Sequence, residues 1–175
     1  MKMSGMFAVT IAVIALSMAM SANSQQDDTA PTSSNPLQPF ERLIGGQWHL
    51  EDTYQEFEWG VGRKSIKARS YLVIAGEAKL VSEGAWFWHP AEKVIRGAFT
   101  AIQMPVVFFD YTTRFEGNTM FNELKAYAEN GKETIFSETW EFVDDAQFEW
   151  KLTSVMPDGS EAMMSGTYVR TNPPQ

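Results

Sequence analysis

The chain has no cysteine among its 175 residues, so neither a disulfide nor a thiolate metal site can hold it together. It has only two histidines, His49 and His89, too far apart in sequence to suggest a metal site. There is no G-x-S-x-G elbow, no H-E-x-x-H and no P-loop. Gly60-Val61-Gly62 lacks the third glycine and the strand–helix setting of a dinucleotide fold, so it reads as a hairpin turn. Long amphipathic helical patterns are missing, which argues against small α+β enzyme folds. Basic charge is scarce: 14 Lys and Arg face 22 Asp and Glu, for a net charge of −8. The densest basic stretch, Arg63-Lys64 with Lys67 and Arg69, runs into ordinary strand sequence. Nucleic acid and anionic membrane surfaces are therefore not expected partners.

Long apolar runs are also missing, with one exception. Phe7 to Met20 carries no charge and follows a start containing Lys2. Small and polar residues come next, with Ala22 and Ser24 in a small-x-small arrangement. A basic start, an apolar run of about 7–15 residues and a small-residue exit describe a secretory signal peptide. Residues 1–24 are the expected leader, which predicts a periplasmic or secreted protein. An uncleaved anchor is the alternative, but the run falls short of the ~20 residues that cross a bilayer comfortably. No later run is long enough, so no membrane span is expected in the mature chain. Residues 25–39, QQDDTAPTSSNPLQP, are polar and Pro-rich and read as a flexible linker.

What remains is rich in aromatics and alternates with period 2. The sequence has 6 Trp, 5 Tyr and 12 Phe, which is material for a core that needs no disulfides. Phe148, Trp150 and Leu152 alternate with Glu149, Lys151 and Thr153. Phe109, Tyr111, Thr113 and Phe115 share one face, and Phe136, Glu138, Trp140 and Phe142 share another. Turn signals such as Ala75-Gly76, Gly117-Asn118, Asn130-Gly131 and Pro157-Asp158-Gly159 recur at strand-length intervals. The predicted strands are 47–58, 64–74, 78–88, 94–103, 106–115, 119–128, 133–143, 147–156 and 161–171. One short helix, 39–44, precedes them and ends at Gly45-Gly46. The expected fold is all-β: an antiparallel up-and-down barrel of about nine strands with a short N-terminal capping helix. A two-sheet sandwich is the alternative; closure is favoured because it removes both sheet edges.

A short helix, then Gly46-Gln47-Trp48 opening the first strand, then hairpins, then Arg170 closing the last: this pattern resembles the calycin superfamily of lipocalins, fatty-acid-binding proteins and related small bacterial barrels. The resemblance spans residues 40–172. It implies a G-x-W signature at Gly46 and Trp48, with Arg170 packed across the indole. Haem-binding barrels of the nitrobindin type share G-x-W but use a late histidine as iron ligand. Nothing after His89 is His, so no cofactor is expected.

The candidate ligand-binding residues are Trp86, Trp88, Trp140, Trp150, Phe109, Tyr111, Tyr54, Glu138 and Tyr168. Trp86 and Trp88 share a face and make either an aromatic lumen wall, an outward platform or plain core. Glu138, between Phe136 and Trp140, is expected to be desolvated unless a cation pairs with it. Tyr168 with Arg170 resembles the pair that grips a carboxylate in fatty-acid-binding barrels; Arg170 as a lid on Trp48 is the plainer reading. Met104, Met156, Met163 and Met164 near strand ends could make an adaptable mouth. The expected function is an exported binding protein for a small, largely apolar ligand. The alternatives are an enzyme on a hydrophobic substrate in the same lumen, or a filled barrel acting through its surface.

Overall fold

A computed structural model describes residues 35–102, 104–155 and 160–171. The leader, nearly all of the linker, Met156 and the Pro157-Asp158-Gly159 turn lie outside the described residues. The described chain forms a 3-10 helix, Gln38–Leu43, followed by ten strands. They are β1 (Gln47–Leu50), β2 (Thr53–Trp59), β3 (Ser65–Ile74), β4 (Glu77–His89), β5 (Val94–Ala101), β6 (Phe108–Glu116), β7 (Thr119–Tyr127), β8 (Glu133–Phe142), β9 (Gln147–Val155) and β10 (Glu161–Thr171). Each pairs antiparallel with its sequence neighbour, and β1 pairs with β10 to close the barrel. Closure leaves no sheet edge with unpaired backbone groups. None of the described helices is long and apolar enough to cross a membrane.

Ten strands appear where about nine are expected because the run 47–58 is two strands. A tight turn at Glu51-Asp52 joins Leu50 to its partner Thr53. Glu51 takes a positive φ of 51°, a conformation usually left to glycine, so the turn carries no glycine signal. The fold also starts earlier than expected. Leu37, placed in the linker by composition, is 1% exposed and belongs to the core with Phe40 and Leu43.

The helix plugs one end of the barrel. Phe40 reaches inside, with its ring 5.3 Å from Trp86 and 5.0 Å from Phe115. Trp48 is fully buried, and its Nε1 donates to the Leu43 carbonyl at 2.9 Å, which ties helix to strand. The Arg170 guanidinium lies 4.5 Å over the indole and donates to the Arg42 carbonyl. The expected Gly46–Trp48–Arg170 arrangement is present: Trp48 pairs with Arg170 in register, and a Cβ at Gly46 would sit 2.9 Å from the Thr171 carbonyl. Beyond this layer, Trp140, Phe148 and Tyr168 stack across β8, β9 and β10, with centroids 4.8 Å apart at each step.

Two glycines make room for large rings. On β4 and β5, Gly84 faces Phe99 and Trp86 faces Gly97. Each ring packs over the neighbouring glycine. A Cβ at Gly84 would fall 2.5 Å from the Phe99 ring and 2.2 Å from the Ala98 carbonyl oxygen. The second clash is with backbone and cannot be relieved by a rotamer. Gly84→Ala is expected to cost about 1–3 kcal/mol, read from the shift of the urea midpoint. At Gly97 a Cβ would fall 2.7 Å from the Trp86 indole, which is itself buried among other rings, so Gly97→Ala is also expected to be destabilising.

Three of the four basic residues from Arg63 to Arg69 are paired in place. Arg63 pairs with Glu41, Lys67 with Glu58 at 3.4 Å, and Arg69 with Glu58 and Glu83.

Candidate functional site

Register decides which side chains enter the lumen. In one paired row Ile95, Thr113, Asn122, Glu138 and Leu152 lie side by side across β5 to β9. Partners in a sheet point to the same face. Since Ile95 belongs to the core, the whole row faces inward.

Three polar members of that row form a chain. The Thr113 hydroxyl donates to Asn122 Oδ1 at 2.6 Å. Asn122 Nδ2 donates to Glu138 Oε2 at 2.7 Å. From the next strand Trp150 Nε1 donates to Glu138 Oε1 at 2.6 Å. Thr113, Asn122 and Glu138 are 3%, 3% and 7% exposed. Each carboxylate oxygen thus has one fixed donor. Among the described residues, no Lys, Arg or His pairs with Glu138. Two basic side chains share the inward face: Arg170 at the helix end and Lys79, exposed near the tip of the β3–β4 hairpin.

This environment shifts titrations in a consistent direction. Desolvation pushes Glu138 above the ordinary glutamate value of 4.5, and the donations from Trp150, Trp140 and Asn122 hold it back. Trp140 Nε1 is buried and aimed near the carboxylate without a well-formed hydrogen bond. Tyr168 is pushed up to about 12, first by burial and then by the charge of Glu138. Tyr111 is raised for the same two reasons, densely surrounded although its ring keeps some accessible surface. Gln55, inward opposite Trp48, donates to the Tyr168 hydroxyl at 3.3 Å.

The lumen is packed solid at the helix end and open beyond the carboxylate. Trp48, Ile66, Met120 and Phe148 have no exposed surface. By contrast Phe109, Tyr111, Phe136, Trp150 and Leu152 face inward by register yet remain partly accessible. Met164, inward opposite Leu152, is 62% exposed. The neighbours of Phe109, Tyr111 and Phe136 on the same inward face, Leu124 and Ala126, are buried, so the accessible surface there belongs to the larger side chains. Glu138 therefore lies where the filled core gives way to the open half.

The structure brings most of the expected residues together. Trp86, Trp140, Trp150, Tyr111, Tyr168 and Glu138 share this zone, and Phe109 lines the open half. Trp86 is a hub of the core, meeting Phe57, Phe99, Tyr111 and Trp140. It is 3% exposed, which rules out the outward platform. Trp88 faces inward opposite Ile95, nearer the helix end. Tyr54 is a correction. The Glu51-Asp52 turn flips its parity, and it stands on the outer face in a stack, 5.2 Å from His49 and 4.7 Å from Tyr71. The Tyr168–Arg170 grip on a carboxylate is a second correction. Arg170 is committed to Trp48 and the Arg42 carbonyl, and the charge that Tyr168 meets in the lumen is Glu138.

Sequence reasoning missed Asn122 and Thr113. The signal was present: Asn122 sits between Met120 and Leu124 on the face that alternation assigns to the core. A cleft of about 560 Å3 at the helix end is lined by Gln38, Arg42, Asn118, Asp145 and Arg170 among others, and by none of the network residues. The described residues contain no group of three or more His, Asp or Glu able to hold a metal ion. No family model matches the chain, and no curated protein matches it.

Proposed function

We propose that this chain is an exported, calycin-like barrel that binds a small, largely apolar molecule in the open half of its lumen. The observation that carries the reading is the buried, hydrogen-bonded carboxylate of Glu138 at the base of a solvent-accessible aromatic wall. Apolar walls with a few placed polar groups are what small-molecule sites have in common. Phe109, Tyr111, Phe136, Trp150 and Leu152 supply apolar surface, and its burial contributes about 25 cal/mol per Å2 before entropy costs. Glu138 and Tyr168 supply orientation. The G-x-W signature with its arginine lid, and the leader, support the calycin and export parts of the reading.

The raised pKa of Glu138 also suits a proton acceptor in a lumen enzyme. Binding is favoured over that reading because both carboxylate oxygens already accept fixed hydrogen bonds, which lowers their basicity toward a substrate. The filled-barrel alternative would be favoured by exposed Trp86 and Trp88; Trp86 is buried, which gives that reading no support from this ring.

The test is native mass spectrometry, with denaturing extraction, of the mature protein purified from its own host's envelope. The expected result is a co-purifying small molecule that quenches or shifts the tryptophan emission when added back. A clean apo mass, together with no fluorescence response to alkyl alcohols, lipids, retinoids or quinones, would overturn the proposal.

A further inference from the structure

The same site restricts the chemistry of what it can take. We propose that the lumen selects ligands whose apolar body carries a cationic head, a protonated amine, over ligands with a carboxylate. This inference rests on the lumen-binding reading and adds the head group to it.

The argument is one of charge and donor count. Among the described residues Glu138 is the one acidic side chain on the inward face away from the hairpin tips, and no Lys, Arg or His pairs with it. Asn122 and Trp150 donate one hydrogen bond to each oxygen. A carboxylate has about four lone-pair sites, so acceptor capacity remains on both oxygens. What the site lacks is a positive charge. A buried carboxylate without a partner is costly to keep ionised. A ligand ammonium would supply the missing charge and up to three donors.

The surroundings suit such a head. Trp150, hydrogen-bonded to Glu138 through its indole N–H, and Tyr111, near enough to feel its charge, are both partly accessible, and aromatic rings attract cations. A ligand carboxylate in the same place meets like charge at short range with no arginine to offset it. Arg170 is held at the helix end, over Trp48.

The experiment compares dodecylamine, dodecanol and dodecanoate, below their micellar concentrations, with the full mature chain at pH 7.5. Tryptophan emission reads binding. The amine is expected to bind at least about tenfold more tightly than the alcohol, and the carboxylate more weakly than both. In Glu138→Gln the amine should lose its advantage while the alcohol still binds. The wild-type pH profile gives a measure free of any repacking in that variant: the amine's advantage should shrink as acid protonates Glu138, while alcohol binding stays level. Tyr111 and Tyr168, the other titratable groups facing Glu138, remain neutral across that range. If the alcohol binds but the amine shows no advantage, or keeps it in Glu138→Gln, the head-group assignment fails and the apolar site stands. If none of the three binds, the lumen-binding reading falls and this inference with it.

Discussion

Trp48→Ala is expected to lower folding stability by about 3–5 kcal/mol, the usual cost of removing a fully buried tryptophan. In a domain of this size that is a fall of roughly 10–20 °C in melting temperature. Three losses coincide. The indole has no exposed surface, so its removal leaves a cavity rather than a groove. The Leu43 carbonyl loses its donor and the helix its tie to β1. Arg170 loses the ring beneath it, and its Nε already lacks a partner. Phe148, 5.0 Å from Trp48, begins the stack that runs to Trp140 and Tyr168, so the disturbance reaches the lumen. Trp48→Phe keeps most of the volume and should recover more than half of the loss. Calorimetry of the three proteins decides it. A drop of less than about 1 kcal/mol in Trp48→Ala would mean that the plugged end does not stabilise the barrel.

Asn122→Ala is expected to cost about 2–4 kcal/mol at pH 8 and clearly less at pH 4. Asn122 links two groups: it accepts from Thr113 and donates to Glu138. Without it the buried carboxylate keeps one strong donor instead of two. The sign of the pH effect follows from the direction of the shift. The folded-state pKa of Glu138 lies above the ordinary glutamate value. Its stabilising contribution is complete below that ordinary value and is lost as pH rises through the raised one. Removing the Asn122 donor raises the folded value further, so the variant loses more over the same climb. The gap between wild type and Asn122→Ala should therefore stay level at acid pH and widen as pH rises past the raised folded value of the wild-type Glu138. Tyr111, Tyr168 and Trp150 face the carboxylate and carry no compensating charge in that window. In the Glu138→Gln background, the pH-dependent part of the gap should vanish. A gap that stays constant from pH 4 to pH 8 would mean that Glu138 does not change its protonation within the folded barrel there.

The alternation of Phe148, Trp150 and Leu152 with charged residues was enough to orient β9, and the same holds for β6 to β8. Those strands are long, and a period of 2 assigns every side chain once one face is known to be buried. Glu138 was recognisable for that reason: it is a charge on an otherwise aromatic face. Tyr54 was not assignable. Its face depends on a turn at Glu51-Asp52 that contains neither glycine nor proline, and one missed turn inverts every later position in the strand. Phe136 likewise looks like core in sequence. It is partly accessible because the barrel is filled from the helix end, and the depth of filling depends on how Phe40, Trp86 and Trp140 meet.

The sequence by itself determined the antiparallel hairpin order, the inward faces of the long strands and the acidic character of the chain. These depend on local alternation, turn chemistry and composition, each legible within a few residues. Only the tertiary structure decided that Thr113, Asn122, Glu138 and Trp150, drawn from four strands, join in one network, that Arg170 is withheld from it, and that the lumen opens beyond it. Those facts depend on register between strands and on the volume left once large rings have packed, and neither quantity is contained in any single segment of the chain.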